Sequence, residues 1–421
     1  MRIGLFTDRY LPQTDGVSVA VETMRIELEK LGHEVYILAP RPSWRYRERT
    51  SRIIRFAAVK GMFFEDYLMT FYFPPQATRQ IDKLNLDIVH FQTPGQIGLL
   101  GAYYAIHAGK PLVTTYHTDL VEYIKHYPKV MVGVMALAAL APAVIDGRFE
   151  DYRKNLVAMM PKRNLAQWHE KVVVNGLTLL HNHCDLVIAP SEKIKQQLIR
   201  FQTRSRIEVL ASGVDKITTN DESISHWREQ LKYKASDKVI IFVGRIGTEK
   251  NLGLLIRAFN IVATREASAR LLIIGTGDDL TFFKNLAADS PYSDRITFAG
   301  QIEHAKLGAL YGLASVLGFP STTETQCLVV KEAVAAGLPV VMVDRNITTA
   351  VMENENGYFA RNSARDFASK LVKILSDARL HERFSQRSLQ LAKRETAEKQ
   401  TAELIKLYEE AIKHHATKIS A

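Results

Sequence analysis

From its first residues the chain alternates short β-rich runs with segments whose apolar residues recur at helical spacing, and it does so in two successive series. Such alternation calls for parallel sheets, since parallel strands cannot be joined by tight hairpins and need crossover helices between them. In the first series Arg2–Thr7, Glu34–Ala39, Asp87–Phe91, Leu112–Thr115, Asp185–Ala189 and Arg206–Leu210 read as strands. Val17–Leu31, Gln96–His107 and Glu192–Phe201 read as helices among them. After Ala211-Ser212-Gly213-Val214-Asp215 comes a polar stretch, Lys216 to Ser225, with almost no core-forming residues. The alternation then restarts at Val239–Val243 and continues to Val340–Val343, followed from Ala364 by a helical segment without strands. The predicted fold class is therefore α/β, with two doubly wound domains, 1–212 and 213–399. They should face each other across a cleft, and ligands should bind there, at the carboxyl ends of both sheets.

Composition narrows the partners. The chain has 421 residues, 47% hydrophobic and 24% charged, enough for two ordinary globular cores. Cys184 and Cys327 are its two cysteines, too few for a disulfide framework and not at metal-site spacing. A net charge of +10 favours an anionic partner such as a nucleotide or an anionic membrane. Nucleic acid is disfavoured, because no reader motif is present and the basic residues are spread over both domains. Met1 opens directly into an apolar strand, so no export signal is expected. The longest apolar run, Val130 to Ile145, is shorter than the ~20 residues of a spanning helix and contains Gly133 and Pro142.

Five motifs can carry chemistry. Gly244-Arg245-Ile246-Gly247-Thr248-Glu249-Lys250-Asn251 follows an apolar strand and opens a helix. Two cations thus stand where backbone N–H groups and the helix dipole already favour an anion, and a diphosphate would fit. Pro320-Ser321-Thr322-Thr323-Glu324-Thr325-Gln326-Cys327 enters a helix whose second turn carries Glu332, placing two carboxylates near a strand's carboxyl end. Flanked by Val329, Val330, Ala333 and Val334, Glu332 needs a polar partner if buried. Gly275-Thr276-Gly277 is either a dinucleotide-type turn lacking its third glycine or simply a tight strand-helix turn. In the first domain Gly16, just after the first strand, lets backbone approach a phosphate or sugar, and Tyr116-His117-Thr118-Asp119 ends a strand facing the same cleft.

Together with Pro190-Ser191, Ser212-Gly213-Val214-Asp215 and Glu332-Ala333-Val334-Ala335-Ala336-Gly337-Leu338-Pro339, these motifs resemble the retaining family-4 glycosyltransferases, two Rossmann-like domains in the GT-B arrangement. The resemblance spans nearly the whole chain. It implies a nucleotide-sugar donor, with Arg245 and Lys250 neutralising the diphosphate, Glu332 on the ribose, Glu324 on the sugar and the Leu328 N–H on a phosphate oxygen. His117 would bond the transferred sugar, Gly16 would close over the diphosphate, and a helix near 400–421 would return to the first domain. No metal and no cofactor is implied, since side-chain cations supply the positive charge. Tyr116-His117-Thr118 and Thr323-Glu324-Thr325-Gln326 look most like bacterial enzymes that place α-glucosyl groups on diacylglycerol. The implied function is transfer of a hexose, glucose, from a UDP-sugar to a lipid acceptor. A soluble or phosphoinositol-type acceptor and a non-catalytic nucleotide-sugar sensor remain the alternatives; oligomeric state is open. Where those enzymes commonly have glycine after the Gln, this chain has Cys327, whose side chain would narrow the donor pocket.

Two stretches interrupt the alternation. Arg41 to Lys60 holds seven basic residues against one acid, Glu48, with Trp44, Tyr46 and Phe56 interleaved. Leu120 to Leu180 combines the apolar Val130–Ile145 run with a further set of cations. Either a solvated face or an anionic lipid surface accounts for the charge, with Arg45, Arg47, Arg49, Arg52, Lys125, Lys129, Lys162 and Arg163 as the expected membrane contacts. The apolar run would then dip into the interface or pack on the sheet. The location expected on this reading is cytoplasmic, peripheral on the inner face of the cell membrane.

Overall fold

The structure, a computed structural model, describes residues 1–48, 50–61, 68–71, 74–127, 130–145, 153, 157, 160, 165–215 and 217–420. The chain forms two compact units, Met1–Gly213 with Ala397–Ala421, and Val214–Thr396.

In the first unit the strands are β1 (Arg2–Phe6), β2 (Glu34–Pro40), β3 (Ile53–Lys60), β4 (Leu68–Phe71), β5 (Ile88–Phe91), β6 (Leu112–Thr115), β7 (Leu186–Ala189) and β8 (Ile207–Val209). Its helices are α1 (Gly16–Lys30), α2 (Pro74–Asp82), α3 (Gln96–His107), α4 (Leu120–His126), α5 (Val130–Val144), α6 (Leu165–His181) and α7 (Glu192–Arg200). The strands lie in the order β4-β3-β2-β1-β5-β6-β7-β8. All neighbours are parallel except β3 and β4. Central strands such as β5 and β7 are buried at every residue, which is why they read as unbroken apolar runs.

The second unit has β9 (Lys238–Val243), β10 (Ala269–Ile274), β11 (Ile296–Gly300), β12 (Val316–Phe319), β13 (Val340–Met342) and β14 (Gly357–Phe359), all parallel, in the order β11-β10-β9-β12-β13-β14. Around them run α8 (Asp221–Gln230), α9 (Leu252–Arg265), α10 (Leu280–Ala288), α11 (Leu307–Leu313), α12 (Leu328–Ala335), α13 (Ala364–Ser376) and α14 (Ala378–Ala392). Phe242, Phe259, Phe367 and Phe384 are fully buried in its core. The last helix, α15 (Ala397–Ser420), belongs to the first unit, where Leu404, Tyr408 and Ala411 join the core of Leu5, Val113 and Ile188. The Tyr408 hydroxyl lies 2.6 Å from Nδ1 of the buried His90 on β5.

Three local outcomes differ from expectation. The second half of the basic Arg41–Lys60 stretch is strand β3, whose inward Ile54 and Phe56 are buried. The polar segment after Gly213 contains α8, started by Asn220, whose side chain accepts from the Ser223 N–H. Most of the Val130–Ile145 run is α5, and Met131, Ala138 and Ile145 are buried at heptad spacing. A Cβ at Gly176 of α6 would stand 3.3 Å from the Ala138 Cβ, so the two helices meet there.

Candidate active site

In the second unit the chain winds outward from β9 to β10 and β11, then restarts on the other side with β12, β13 and β14. The crevice of a doubly wound sheet opens at such a reversal, beyond the carboxyl ends of β9 and β12. Gly244-Arg245 leaves β9 there, and Pro320-Ser321 leaves β12.

Glycines let two strand-end loops touch. A Cβ at Gly275 would sit 1.9 Å from the Gly244 carbonyl oxygen, and one at Gly277 would sit 2.3 Å from that of Ile246. Gly244 and Gly275 also hold φ of 151° and 138°, closed to ordinary side chains. The Gly275-Thr276-Gly277 turn is thus a packing device that fixes the Arg245 loop.

Beyond it Thr248–Lys250 makes one helical turn, and Asn251, left-handed at φ 56°, starts α9. The Asn251 amide nitrogen reaches the Pro320 carbonyl at 3.3 Å and Asn362 Oδ1 at 2.9 Å, tying the β9 loop to the β12 loop. The result is an ion pair across the crevice mouth, Lys250 Nζ to Glu324 Oε1 at 2.5 Å, with Ser321 Oγ donating to the same oxygen at 2.8 Å. Arg245, partly exposed, pairs at 2.7 Å with the buried Glu249. Glu324 does not cap α12. The cap position of that helix is Cys327, with φ 60° and no side-chain cap bond of its own. The Cys327 thiol is buried in the core and burial pushes its pKa well up. Its side chain lies in the hydrophobic core, near enough to Glu324 and Lys250 for both to act on the thiol.

Glu332, on the second turn of α12, is buried and has the partners it requires. Its two oxygens accept from His304 Nε2 at 2.8 Å and from the Tyr311 hydroxyl at 2.9 Å. The hydrogen bond to Glu332 raises the His304 pKa against its partial burial.

In the first unit the reversal falls between β1 and β5. His117, just past β6, is 8% exposed and lies 2.8 Å through Nε2 from Gln92 Oε1, at the end of β5. This bond ties the ring to the strand-end glutamine. Burial drives the His117 pKa down to about 4, so the ring is neutral at ordinary pH. Gly16 is the exposed first residue of α1, after Asp15, which caps the Ser18 N–H at 2.9 Å and pairs with Arg9 at 2.5 Å. Asp119 is buried and occupied as the cap of α4, accepting as well from Gln197 at 2.9 Å.

Sequence reasoning missed Asp8 and Gln92. Asp8 is buried after β1, accepting from Thr93 Oγ1 at 2.6 Å and the Ile97 N–H at 2.8 Å, and burial raises its pKa. Gly95 makes room for it: a Cβ there would lie 2.4 Å from the Asp8 carboxylate. A carboxylate directly following a buried strand was the available signal.

Of the expected membrane contacts, Arg45 and Arg47 are exposed beside Trp44, Arg45 stacked 4.7 Å over its ring and Arg47 donating to its carbonyl at 3.3 Å. Arg52 pairs with Glu29 at 3.6 Å and Lys125 with Glu122 at 2.6 Å, both half exposed. Arg49, Lys129, Lys162 and Arg163 lie outside the described residues. Arg55, from the same basic stretch, is buried: it donates to the Leu11 carbonyl at 2.6 Å, the Pro40 carbonyl at 3.1 Å and Glu48 at 2.9 Å.

With two parallel sheets and this strand-end geometry established, the family assignment follows from similarity. Residues 14–216 match the model for Glycosyltransferase Family 4, and residues 223–390 that for Glycosyl transferases group 1. The chain belongs to the glycosyltransferases of this two-domain, GT-B class. It is 29% identical over 383 residues to an alpha-monoglucosyldiacylglycerol synthase of Acholeplasma laidlawii, covering 89% of this chain and 88% of that protein. A GDP-mannose-dependent alpha-mannosyltransferase of Mycolicibacterium smegmatis is 26% identical over 350 residues, covering 82% and 80%. Among solved structures, a sucrose-phosphate synthase from Thermosynechococcus elongatus superposes with a TM-score of 0.72 at 18% identity, covering 97% and 98%, a likeness of fold alone.

Proposed function

We propose that this glycosyltransferase moves glucose from UDP-glucose to a membrane lipid such as diacylglycerol, with retention of the anomeric configuration and without a metal. The observation that carries the reading is the Lys250–Glu324 pair, 2.5 Å apart beside Arg245 at the β9/β12 reversal. A donor entering there presents its diphosphate to Lys250, Arg245 and the N-terminal N–H groups of α12, and its sugar to Glu324. As the bond from the anomeric carbon to the phosphate oxygen breaks, the two cations stabilise the charge building on the departing UDP. The acceptor hydroxyl oxygen bonds to that carbon from the same face, and its proton passes to a phosphate oxygen of UDP. In this proposal His117 bonds a sugar hydroxyl, Gly16 lies against the diphosphate, and Glu332, held by His304 and Tyr311, receives the ribose. The metal-free assignment rests on those cations.

Transfer of a glucosyl group to a lipid acceptor is supported by the Acholeplasma laidlawii relative, an alpha-monoglucosyldiacylglycerol synthase, and by the basic, Trp44-bearing loop of the first unit. Attachment is then peripheral, at the inner face of the cell membrane. Among the described residues no helix is long and apolar enough to cross a membrane.

The test is a panel of UDP-glucose, UDP-galactose and GDP-mannose crossed with diacylglycerol and inositol phosphate, with and without chelator, read by mass spectrometry. Glucosyl-diacylglycerol from UDP-glucose in chelator, cleaved only by an α-glucosidase, is the expected product. Transfer only to the soluble acceptor replaces the lipid reading; donor binding without turnover makes the chain a sensor. His117→Ala is expected to lower turnover about 100-fold or more with little change in UDP affinity.

A further inference from the structure

β3 outruns the sheet. Its Ile53–Phe56 half pairs with β2 as far as Pro40, while Ala57–Lys60 pairs antiparallel with β4 instead. The hairpin therefore projects past the carboxyl end of β2, at the rim where strand-end loops build ligand sites. On β4 the alternation is regular, with Leu68 and Thr70 buried and Met69 and Phe71 turned out. Val59 stands opposite Met69 and Ala57 opposite Phe71, so these four side chains share one face. That face is exposed: Val59 at 53%, Met69 at 38% and Phe71 at 56%. The outward side of a half-buried antiparallel pair is ordinarily polar, and a contiguous apolar patch on an edge marks a contact surface.

Its surroundings select the partner. The loop 41–48 leaves β2 beside the hairpin, the Arg41 N–H bonding the Phe56 carbonyl at 2.8 Å. Arg55 of β3 holds that loop in place through Glu48 and the Tyr46 ring. The loop presents Trp44, 76% exposed, with Arg45 and Arg47 beside it. Residues 41–71 carry seven cations against three carboxylates, one of which, Glu48, is neutralised by buried Arg55. An apolar wedge, an indole whose ring spans polar and apolar surroundings, and flanking guanidinium groups are the chemistry of a bilayer interface with anionic head groups.

We infer that the β3–β4 hairpin face, anchored by Trp44 and its arginines, is the element that inserts into an anionic lipid surface. This deepens the lipid-acceptor reading and rests on it. The apolar side chains enter the acyl boundary while Arg45 and Arg47 meet head-group phosphates.

The experiment uses the full chain with Trp168 and Trp227 replaced by Phe, leaving Trp44 as reporter, and a second protein additionally carrying Met69→Ser and Phe71→Ser. Both are sedimented at low salt with vesicles of phosphatidylglycerol and phosphatidylcholine, and with phosphatidylcholine alone. The parent is expected to sediment only with the anionic vesicles, with its Trp44 emission shifted to the blue. The serine variant should bind at least about tenfold more weakly, without the shift, while its UDP affinity and unfolding temperature match the parent's. If both proteins sediment alike and Trp44 does not shift, this face is not the inserting element, although the lipid reading stands. If the parent itself stays in the supernatant, both fall. A parent that is dimeric by light scattering, and monomeric once the serines are introduced, would assign the face to a second copy and overturn the inference.

Discussion

Lys250 and Glu324, 74 positions apart, meet at 2.5 Å because Asn251, left-handed and bonded to the Pro320 carbonyl, clasps the two loops that carry them. In the absence of donor the lysine's charge is spent on the carboxylate, and an arriving diphosphate has to compete for it. Lys250→Ala should weaken UDP binding by roughly 10- to 100-fold, the scale of one hydrogen bond to a charged group, and lower turnover with it. Glu324→Gln should have opposite effects on the two quantities. Releasing Lys250 tightens UDP binding by about 3- to 10-fold, while loss of the sugar contact lowers turnover about 100-fold or more. Calorimetry with UDP beside transfer rates decides it; tighter binding by neither variant, and weaker by both, would mean that Glu324 holds the nucleotide itself.

Cys327 occupies a backbone conformation that glycine adopts freely, at φ 60°, yet its side chain is buried in the core. The two effects oppose each other in Cys327→Gly: relief of a left-handed non-glycine residue gains ~1 kcal/mol, and loss of the buried thiol costs a similar amount. Urea midpoints of the two proteins should therefore lie close together. Cys327→Val keeps the volume but places a β-branched residue at positive φ, and should cost about 2 kcal/mol or more. Because the thiol is directed into the core, the glycine variant should also keep the wild-type preference among donor sugars; a change of preference would return this side chain to the pocket.

Arg55→Ala should destabilise the first unit by about 2–4 kcal/mol, since it removes a buried guanidinium that donates to two backbone carbonyls and to Glu48 and lies against the Tyr10 and Tyr46 rings. Arg45→Ala, in the same basic stretch but exposed on Trp44, should leave the unfolding midpoint unchanged. Two chemical denaturation curves suffice, and equal midpoints would refute the burial of Arg55.

That contrast also marks what a sequence can disclose. Arg245, Lys250, Glu324 and Glu332 were legible because each stands at a fixed offset from a fully buried strand, and such strands announce themselves as apolar runs. Arg55 was not, since its partners come from Leu11, Pro40 and Glu48, and in a run of cations one buried guanidinium looks like the others. The same run concealed β3, whose inward Ile54 and Phe56 alternate with arginine and alanine. Asp8 and Gln92 escaped for a related reason: what buries them lies 25 to 89 positions away in the chain.

Acid stability should be governed by three buried imidazoles. His90, His117 and His181 all lie in the first unit, and burial lowers each pKa, to about 4 for His117 and His181. The unfolded chain takes up these protons near pH 6.5, whereas the folded chain resists them. Stability contributed by keeping the rings neutral is thus complete above pH 6.5 and is lost as the pH falls from there toward 4. If the full shifts are realised, His117 and His181 account for on the order of 3 kcal/mol each over that window. Asp8 acts in the opposite sense, its raised pKa favouring the fold as acid is added, but it is one group against three. His304 works elsewhere: its pKa is raised by Glu332, so its contribution is present below pH 6.5 and lost as the pH climbs through the raised value. Urea midpoints should accordingly fall between pH 6.5 and 4. His181 offers the cleanest control, since its buried Nδ1 has no hydrogen-bond partner among the described residues. His181→Leu removes both the titration and the unsatisfied nitrogen, so the variant should exceed the wild type by about 1–2 kcal/mol at pH 5 and by less at pH 8. A variant equally weakened at both pH values would show that the ring is held by a bond, and that its burial is not what sets the acid limit.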